Sequence, residues 1–301
     1  MPNSEIAQFL TYLRYERNRS ELTVKRYERS LRDFEAYYKA QDQQLSWSTL
    51  DADVIRNWME SLMDKGNKAT SVNADLTALR TFYRFALSRG LVRRDPAHSV
   101  TGPKKQKPLP QFLREGEMDK LLDQEEWSDD YKDVRARTII LLLYETGIRR
   151  SELVGLDDKD VDLEAGQLKV TGKRDKQRII PFGTELADEL RRYREARERE
   201  FGTTAGPLFL NRKGERLTGA QLYEEVRKQL SRVTTMKKRS PHVLRHTFAT
   251  AMLNHEAGLE NVKQLLGHES LETTEIYTHT TFEQLRRVYK DAHPRGGEKP
   301  L

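Results

Sequence analysis

Apolar side chains recur at helical spacing along most of this 301-residue chain. Ile6, Phe9, Leu10 and Leu13 fall at i, i+3, i+4 and i+7, which predicts an amphipathic helix over residues 4–17. Tyr27, Leu31, Phe34 and Tyr38 repeat the stripe over 21–40. Beyond Asp51, Val54, Trp58 and Leu62 mark a third helix with Gly66 as its stop. Leu76, Leu79, Phe82 and Ala86 mark a fourth over 69–89, and Gly90 lies just past its end. Together they predict an all-helical unit over residues 1–98.

The next segment, 99–111, has no core pattern. It sits within HSVTGPKKQKPLPQF, whose three prolines, one glycine and three lysines read as a linker. Helical spacing resumes near Phe112 and predicts helices over 115–126, 134–146, 184–201, 218–233, 242–256, 260–266 and 272–290. One stretch differs. Gly166-Gln-Leu-Lys-Val-Thr171 and Arg178-Ile-Ile-Pro181 are short β-like runs flanking a turn-rich tip, Gly172-Lys-Arg-Asp-Lys-Gln177, which predicts a β-hairpin. The expected fold is therefore mainly α. A helical bundle over 1–98 precedes a mostly helical domain over 112–301 that carries a small antiparallel β-sheet. The length suffices for two such cores.

Composition narrows the function classes. The chain has no cysteine, so disulfides, a thiolate nucleophile and Cys-type metal sites are excluded. The polar start MPNSEIAQFL does not read as a signal peptide, and no apolar run approaches membrane-spanning length. A cytoplasmic protein is expected. Net charge is only +6, but its distribution is uneven. Residues 1–100 hold 16 basic and 13 acidic side chains, whereas 112–301 hold 34 of each. Lys104 and Lys105 lie in the acid-free linker. Within the balanced half, residues 226–255 carry Arg227, Lys228, Arg232, Lys237, Lys238, Arg239 and Arg245 without a single acid. Such a stretch suits an anionic partner, of which the phosphate backbone is the commonest, or a solvated face whose counter-charges lie elsewhere.

Candidate chemistry lies in that second half. In Tyr144-Glu-Thr-Gly-Ile-Arg-Arg-Ser-Glu-Leu153 one helix ends at Gly147 and another begins near Ser151 and Glu152, with Arg149 at the junction. In SPHVLRHTFAT, His242 and Arg245 are i and i+3 and share a helix face. His242 and His246 have metal-pair spacing, but no HExxH-type Glu accompanies them and the surroundings are basic. His268 follows Gly267 in a turn, and Tyr277 lies nine residues on. Singly, each has a plainer reading: a surface ion pair for Arg149, a buried ion pair for Arg245, a core imidazole for His242, a packing ring for Tyr277. Jointly they form one chemical set. Two guanidiniums can clamp phosphodiester oxygens, a tyrosine hydroxyl can attack phosphorus, and a lysine or imidazole can move the proton. With no Walker loop and no acidic metal cluster, neither ATP nor a metal ion is called for.

The order Arg…Lys…His-x-x-Arg…His…Tyr, with TGIRRSELVGL, TGKRDKQRIIP, HVLRHTFAT, LLGHESLETTEIYTH and the closing DAHP, resembles the tyrosine recombinase (phage integrase) family, and its Xer branch in particular. The resemblance runs from FLTYLRYERNRSELTVKRYERSL to the tail. It implies an N-terminal SAM-like core-binding domain and a C-terminal catalytic domain forming a C-shaped clamp on duplex DNA. Arg149 and Arg245 would bind the scissile phosphate, and Lys173 on the hairpin would protonate the leaving 5′ oxygen. His242 would assist proton transfer or hold the phosphate, His268 would support the transition state, and Tyr277 would form a 3′-phosphotyrosyl link. Lys104, Lys105, Arg174, Lys237, Lys238 and Arg239 are the expected DNA contacts.

The implied reaction is site-specific strand exchange at chromosome dimers. It would be carried out by a tetramer of this chain alone or with a paralogous recombinase, and the resemblance leaves a DNA translocase open as a further partner. Leu285, Val288 and Tyr289, at helical spacing after Tyr277, would pack either on a neighbouring subunit or on their own domain. A phage or transposon integrase of the same chemistry, a type IB topoisomerase and a non-catalytic architectural protein are the rival readings.

Overall fold

The structure is a computed structural model and describes residues 4–105, 111–123, 127–172, 176–202, 205–267 and 279–296. The chain divides into two compact units, Met1–Pro108 and Leu109–Leu301.

The first unit is helical. α1 (Glu5–Thr11) runs into a π-helical turn, Tyr12–Glu16, and is followed by α2 (Glu21–Gln41), α3 (Ala52–Asp64) and α4 (Ala69–Ser88). The starts are written in the sequence: Ser4 accepts from Ala7 N at 3.3 Å, Ser20 from Thr23 N at 3.4 Å, and Asp51 from Asp53 N and Val54 N at 2.9 and 3.0 Å. The apolar stripes meet in an aromatic core, with Trp47 4.4 Å from Phe82 and Phe34 4.8 Å from Trp58, centroid to centroid. Part of the sequence expected as linker is held against this bundle. Arg80 donates to Ala97 O (3.1 Å) and Val100 O (2.5 Å), and Asn73 donates to Pro103 O (2.8 Å).

The second unit is built around α6 (Tyr131–Thr146). Its run Thr138-Ile-Ile-Leu-Leu-Leu-Tyr144 is buried throughout, which suits a helix enclosed on all sides rather than a surface one. α5 (Glu115–Leu122), α7 (Arg150–Gly155), α8 (Thr184–Phe201), α9 (Gly219–Leu230), α10 (Pro241–Asn254), α11 (Leu259–Leu266) and α12 (His279–Ala292) complete the helical part.

The sheet has three antiparallel strands in the order β1 (Val161–Asp162), β2 (Gln167–Thr171) and β3 (Gln177–Pro181). β1 was not expected, because two residues are too few to show alternation. Leu168 faces Ile180 and Val170 faces Arg178 across the hairpin, so Arg178 lies on the buried face. Helix limits differ from the periodicity by a few residues. α6 starts earlier, where Asp130 accepts from Asp133 N at 2.8 Å, a cap that apolar spacing does not register.

α12 packs on its own unit. Leu285 and Tyr289 are buried in its core, and the Tyr289 hydroxyl donates to Glu145 Oε2 at 2.8 Å. Of the two expectations for this segment, its own domain receives these side chains. Among the described residues, no helix is long and apolar enough to cross a membrane.

Candidate active site

The junction between α6 and α7 starts the site. Gly147 ends α6 in the left-handed region (φ 58°), and a Cβ there would lie 2.5 Å from Phe248 Cδ1. Only glycine meets both demands. Two residues on, Arg149 is the N-cap of α7, and its backbone N–H donates to Glu152 Oε2 at 2.7 Å. That carboxylate sits in the first turn, where the helix dipole favours a negative charge.

Three guanidiniums converge there. Glu152 Oε1 accepts from Arg149 Nη1 and from Arg178 Nη1, each at 2.9 Å. Glu152 Oε2 accepts from Arg178 Nη2, also at 2.9 Å. The same three arginines share the end of α11: Arg178 Nε donates to Leu265 O at 3.0 Å, Arg245 Nη2 to Leu266 O at 2.8 Å, and Arg149 Nη2 to Gly267 O at 3.0 Å. Three successive carbonyls at the end of α11, bearing the partial negative charge of a helix C-terminus, thus gather the cations. Arg245 Nη1 adds a 2.7 Å bond to Gly147 O.

The electrostatics follow from this geometry. Glu152 is only 4% exposed, and burial pushes its carboxyl up, but the bonds and charge of Arg178 and Arg149 outweigh that and hold it at about 2. Arg245, 8% exposed, is pushed down to about 10 by burial first and then by Arg149 and Arg178. It remains a cation at neutral pH. Three guanidiniums against one carboxylate leave a surplus of two positive charges. The Arg149 side chain is 36% exposed, so this surplus is reachable from solvent. Arg149 and Arg245 each spend two N–H groups in the bonds named and keep others for an anion.

The remaining expected residues distribute as follows. His242 lies in the first turn of α10, after Pro241, and is exposed. Arg245, three positions on, is buried, and its charge reaches the His242 imidazole. Partial burial lowers the His242 pKa, with His246, Lys238, Arg245 and Arg150 adding to the effect, which favours the neutral imidazole. His246 is also exposed. Lys237 and Lys238 are exposed just before α10, and Arg239 is half-buried. Lys104 and Lys105 are exposed and belong to the first unit. Lys173, Arg174, His268 and Tyr277 lie outside the described residues.

One residue of this cluster, Arg178, is not among the candidates that the sequence marks. Arg178 carried a signal: it precedes Ile180 by two positions, and period-two alternation puts both on one strand face.

Comparison with known proteins agrees with this architecture. Residues 111–284 match the Phage integrase family, and residues 6–90 match the Phage integrase, N-terminal SAM-like domain. The chain belongs to the phage integrase family of tyrosine recombinases, enzymes that cut and rejoin DNA. It is 38% identical over 317 residues to Tyrosine recombinase XerC of Chlorobaculum tepidum, covering 96% of this chain and 94% of that protein. To the XerC of Vibrio parahaemolyticus it is 35% identical over 306 residues, covering 99% and 96%. Among solved structures, XerH site-specific recombinase bound to difH substrate in a pre-cleavage complex matches with a TM-score of 0.69 and 26% identity, covering 94% of this chain and 84% of that one. The Tn1549 transposon integrase, in complex with transposon right end DNA, shares the fold with a TM-score of 0.71 at 20% identity, covering 95% and 98%.

Proposed function

We propose that this chain is a site-specific recombinase of the Xer type. It acts in the cytoplasm on duplex DNA and resolves chromosome dimers at cell division, in a tetrameric synapse with itself or a paralogous recombinase. Arg149 and Arg245 clamp the non-bridging oxygens of the scissile phosphate. The Tyr277 oxygen attacks phosphorus, the P–O5′ bond breaks, and the DNA 3′ end stays on the enzyme as a phosphotyrosyl ester. Lys173 gives a proton to the leaving 5′ oxygen, and His242, whose lowered pKa favours the neutral imidazole, can take the tyrosine proton. His268 supports the charge of the transition state. Attack by the 5′ hydroxyl of the partner duplex reverses the bond changes and joins the exchanged strands.

The observation that carries the reading is the surplus of guanidinium charge around Glu152 at the end of α11. A fixed cationic site is worth most where negative charge builds up during the reaction. The similar recombinase XerH is described bound to its difH substrate, which supports a DNA site as the substrate here.

The test is a nicked suicide duplex bearing a candidate dimer-resolution site, incubated in EDTA with wild type and with Tyr277→Phe. The expected result is a protein–DNA adduct on a denaturing gel with wild type only. An adduct that persists in Tyr277→Phe would mean that another residue is the nucleophile, and dependence on added metal would overturn the metal-free mechanism.

A further inference from the structure

Arg178 has no place in the chemistry proposed above, yet it is the most fully engaged of the three guanidiniums. It is 7% exposed and uses Nη1 and Nη2 on the two oxygens of Glu152, each at 2.9 Å, and Nε on Leu265 O at 3.0 Å. It cannot reach a DNA phosphate from there. What it can do is decide the state of Glu152. That carboxylate also lies 2.9 Å from Arg149 Nη1, where on its own it would neutralise Arg149 and compete with any phosphate for it. Arg178, a bidentate partner of fixed geometry, shares both carboxylate oxygens with Arg149, so one negative charge is divided between two guanidiniums and the charge of Arg149 is compensated only in part.

Arg178 also fixes position. It lies on β3 opposite Val170, one position from the Thr171–Gln177 pair that ends the paired strands beside the turn. Its bond to Leu265 therefore ties the turn end of that hairpin to the end of α11. The fit is close: a Cβ on Gly267, whose φ is 65°, would lie 3.1 Å from Arg178 Nη1.

We infer that Arg178 is a positioning residue for strand cleavage: by pairing both oxygens of Glu152 it keeps Arg149 available to the scissile phosphate, and it registers the β2–β3 hairpin against the end of α11. This rests on Arg149 and Arg245 being the phosphate clamp.

The experiment compares single-turnover adduct formation by Arg178→Met, Glu152→Gln and the double variant. Each is assayed on a suicide duplex with a normal scissile phosphate and on one with an uncharged methylphosphonate at that position, and each is melted. Arg178→Met should form adduct about 100-fold more slowly on the phosphate, a loss of the size seen when one transition-state donor is removed. Adding Glu152→Gln should recover about tenfold of that, because it removes the unpaired negative charge beside Arg149. On the methylphosphonate the Arg178→Met loss should shrink to a few-fold, since an uncharged centre demands less of the clamp. If the double variant is no faster than Arg178→Met, or the loss is equal on both substrates, Arg178 is merely structural and the inference fails. Should Arg178→Met not fold, Arg178→Lys keeps the buried charge but not the bidentate pair, and it must show the same substrate-dependent loss. Arg149→Ala serves as the reference. If it too shows no difference between the substrates, the clamp itself is wrong; if it does and Arg178→Met does not, only this inference is lost.

Discussion

Arg245 donates to the carbonyl of Gly147 at 2.7 Å across 98 residues of sequence. The bond joins α10 to the end of α6, two residues before Arg149. One guanidinium of the proposed clamp is thereby held against the turn that positions the other. Through Leu266 and Gly267 both are held a second time by the end of α11. Neither arginine has to be ordered when an anion arrives, which is the preorganisation that electrostatic catalysis needs.

Arg245→Lys should therefore fail where simple charge would suffice. An ammonium is a point charge that lacks the planar fork, so it cannot span Gly147 O and Leu266 O and still meet a phosphate. Adduct formation should fall by about 10²–10³-fold, as for loss of an oxyanion donor. Single-turnover cleavage on a suicide duplex checks this. A lysine variant within a few-fold of wild type would mean that the two carbonyl bonds are incidental.

Gly147→Ala tests the turn itself. The added Cβ would meet Phe248 Cδ1 at 2.5 Å and impose strain at φ 58°. Backbone strain and overpacking each cost about 1–3 kcal/mol. Urea unfolding should show a loss of about 2–6 kcal/mol on that basis. Because Arg245 donates to the carbonyl of this residue, adduct formation should fall as well, even below the melting temperature.

A pH dependence of stability follows from the buried groups under α12. Burial pushes Glu145 up from 4.5 to about 8, against the lowering bonds from Gly183 N and the Tyr289 hydroxyl. A raised carboxyl contributes stability that is full below 4.5 and is lost as pH rises towards 8. Burial pushes His293 down from 6.5 to about 3, so its contribution is full above 6.5 and is lost as pH falls towards 3. Between 4.5 and 6.5 the two oppose each other. From 6.5 to 8 only the Glu145 loss of this pair remains, with an upper bound of about 2 kcal/mol. Chemical denaturation across that window should show falling stability in wild type and a flatter line in Glu145→Gln. Glu152, held at about 2, acts in the opposite sense, and its stabilisation is lost as pH drops from 4.5 towards 2. Glu152→Gln should remove that acid limb.

The helical bundle and most of the second unit were legible because their apolar stripes are long and regular, as in Leu76, Leu79, Phe82 and Ala86 on α4. Motif order gave the family, and spacing marked Arg149 and Arg245 as candidates. It could not say that they meet. That depends on the carbonyls of Leu265, Leu266 and Gly267, and a backbone acceptor leaves no trace in residue identity. Side-chain direction was also hidden. His242 and Arg245 differ by three positions, yet one is exposed and the other buried, because His242 lies in the first turn of α10 while Arg245 points at the end of α6. Arg178 was missed for a related reason: alternation with Ile180 places it on the buried strand face, but its carboxylate partner, Glu152, is 26 residues away in sequence.

Lys237 and Lys238 offer the last test, because they separate affinity from chemistry. Both are exposed just before α10, and Lys238 is close enough to His242 to help lower its pKa. If they contact phosphates, replacing both by alanine should weaken DNA binding about equally on specific and unrelated duplexes. It should also reduce the slope of log K against log salt by about 2. At saturating protein the rate of adduct formation should change little, since neither lysine belongs to the clamp. Fluorescence anisotropy over a salt series gives the slope, and the suicide duplex gives the rate. An unchanged slope would mean that this end of α10 does not face the DNA backbone, whereas a large rate loss at saturation would move Lys238 into the proton chemistry of His242.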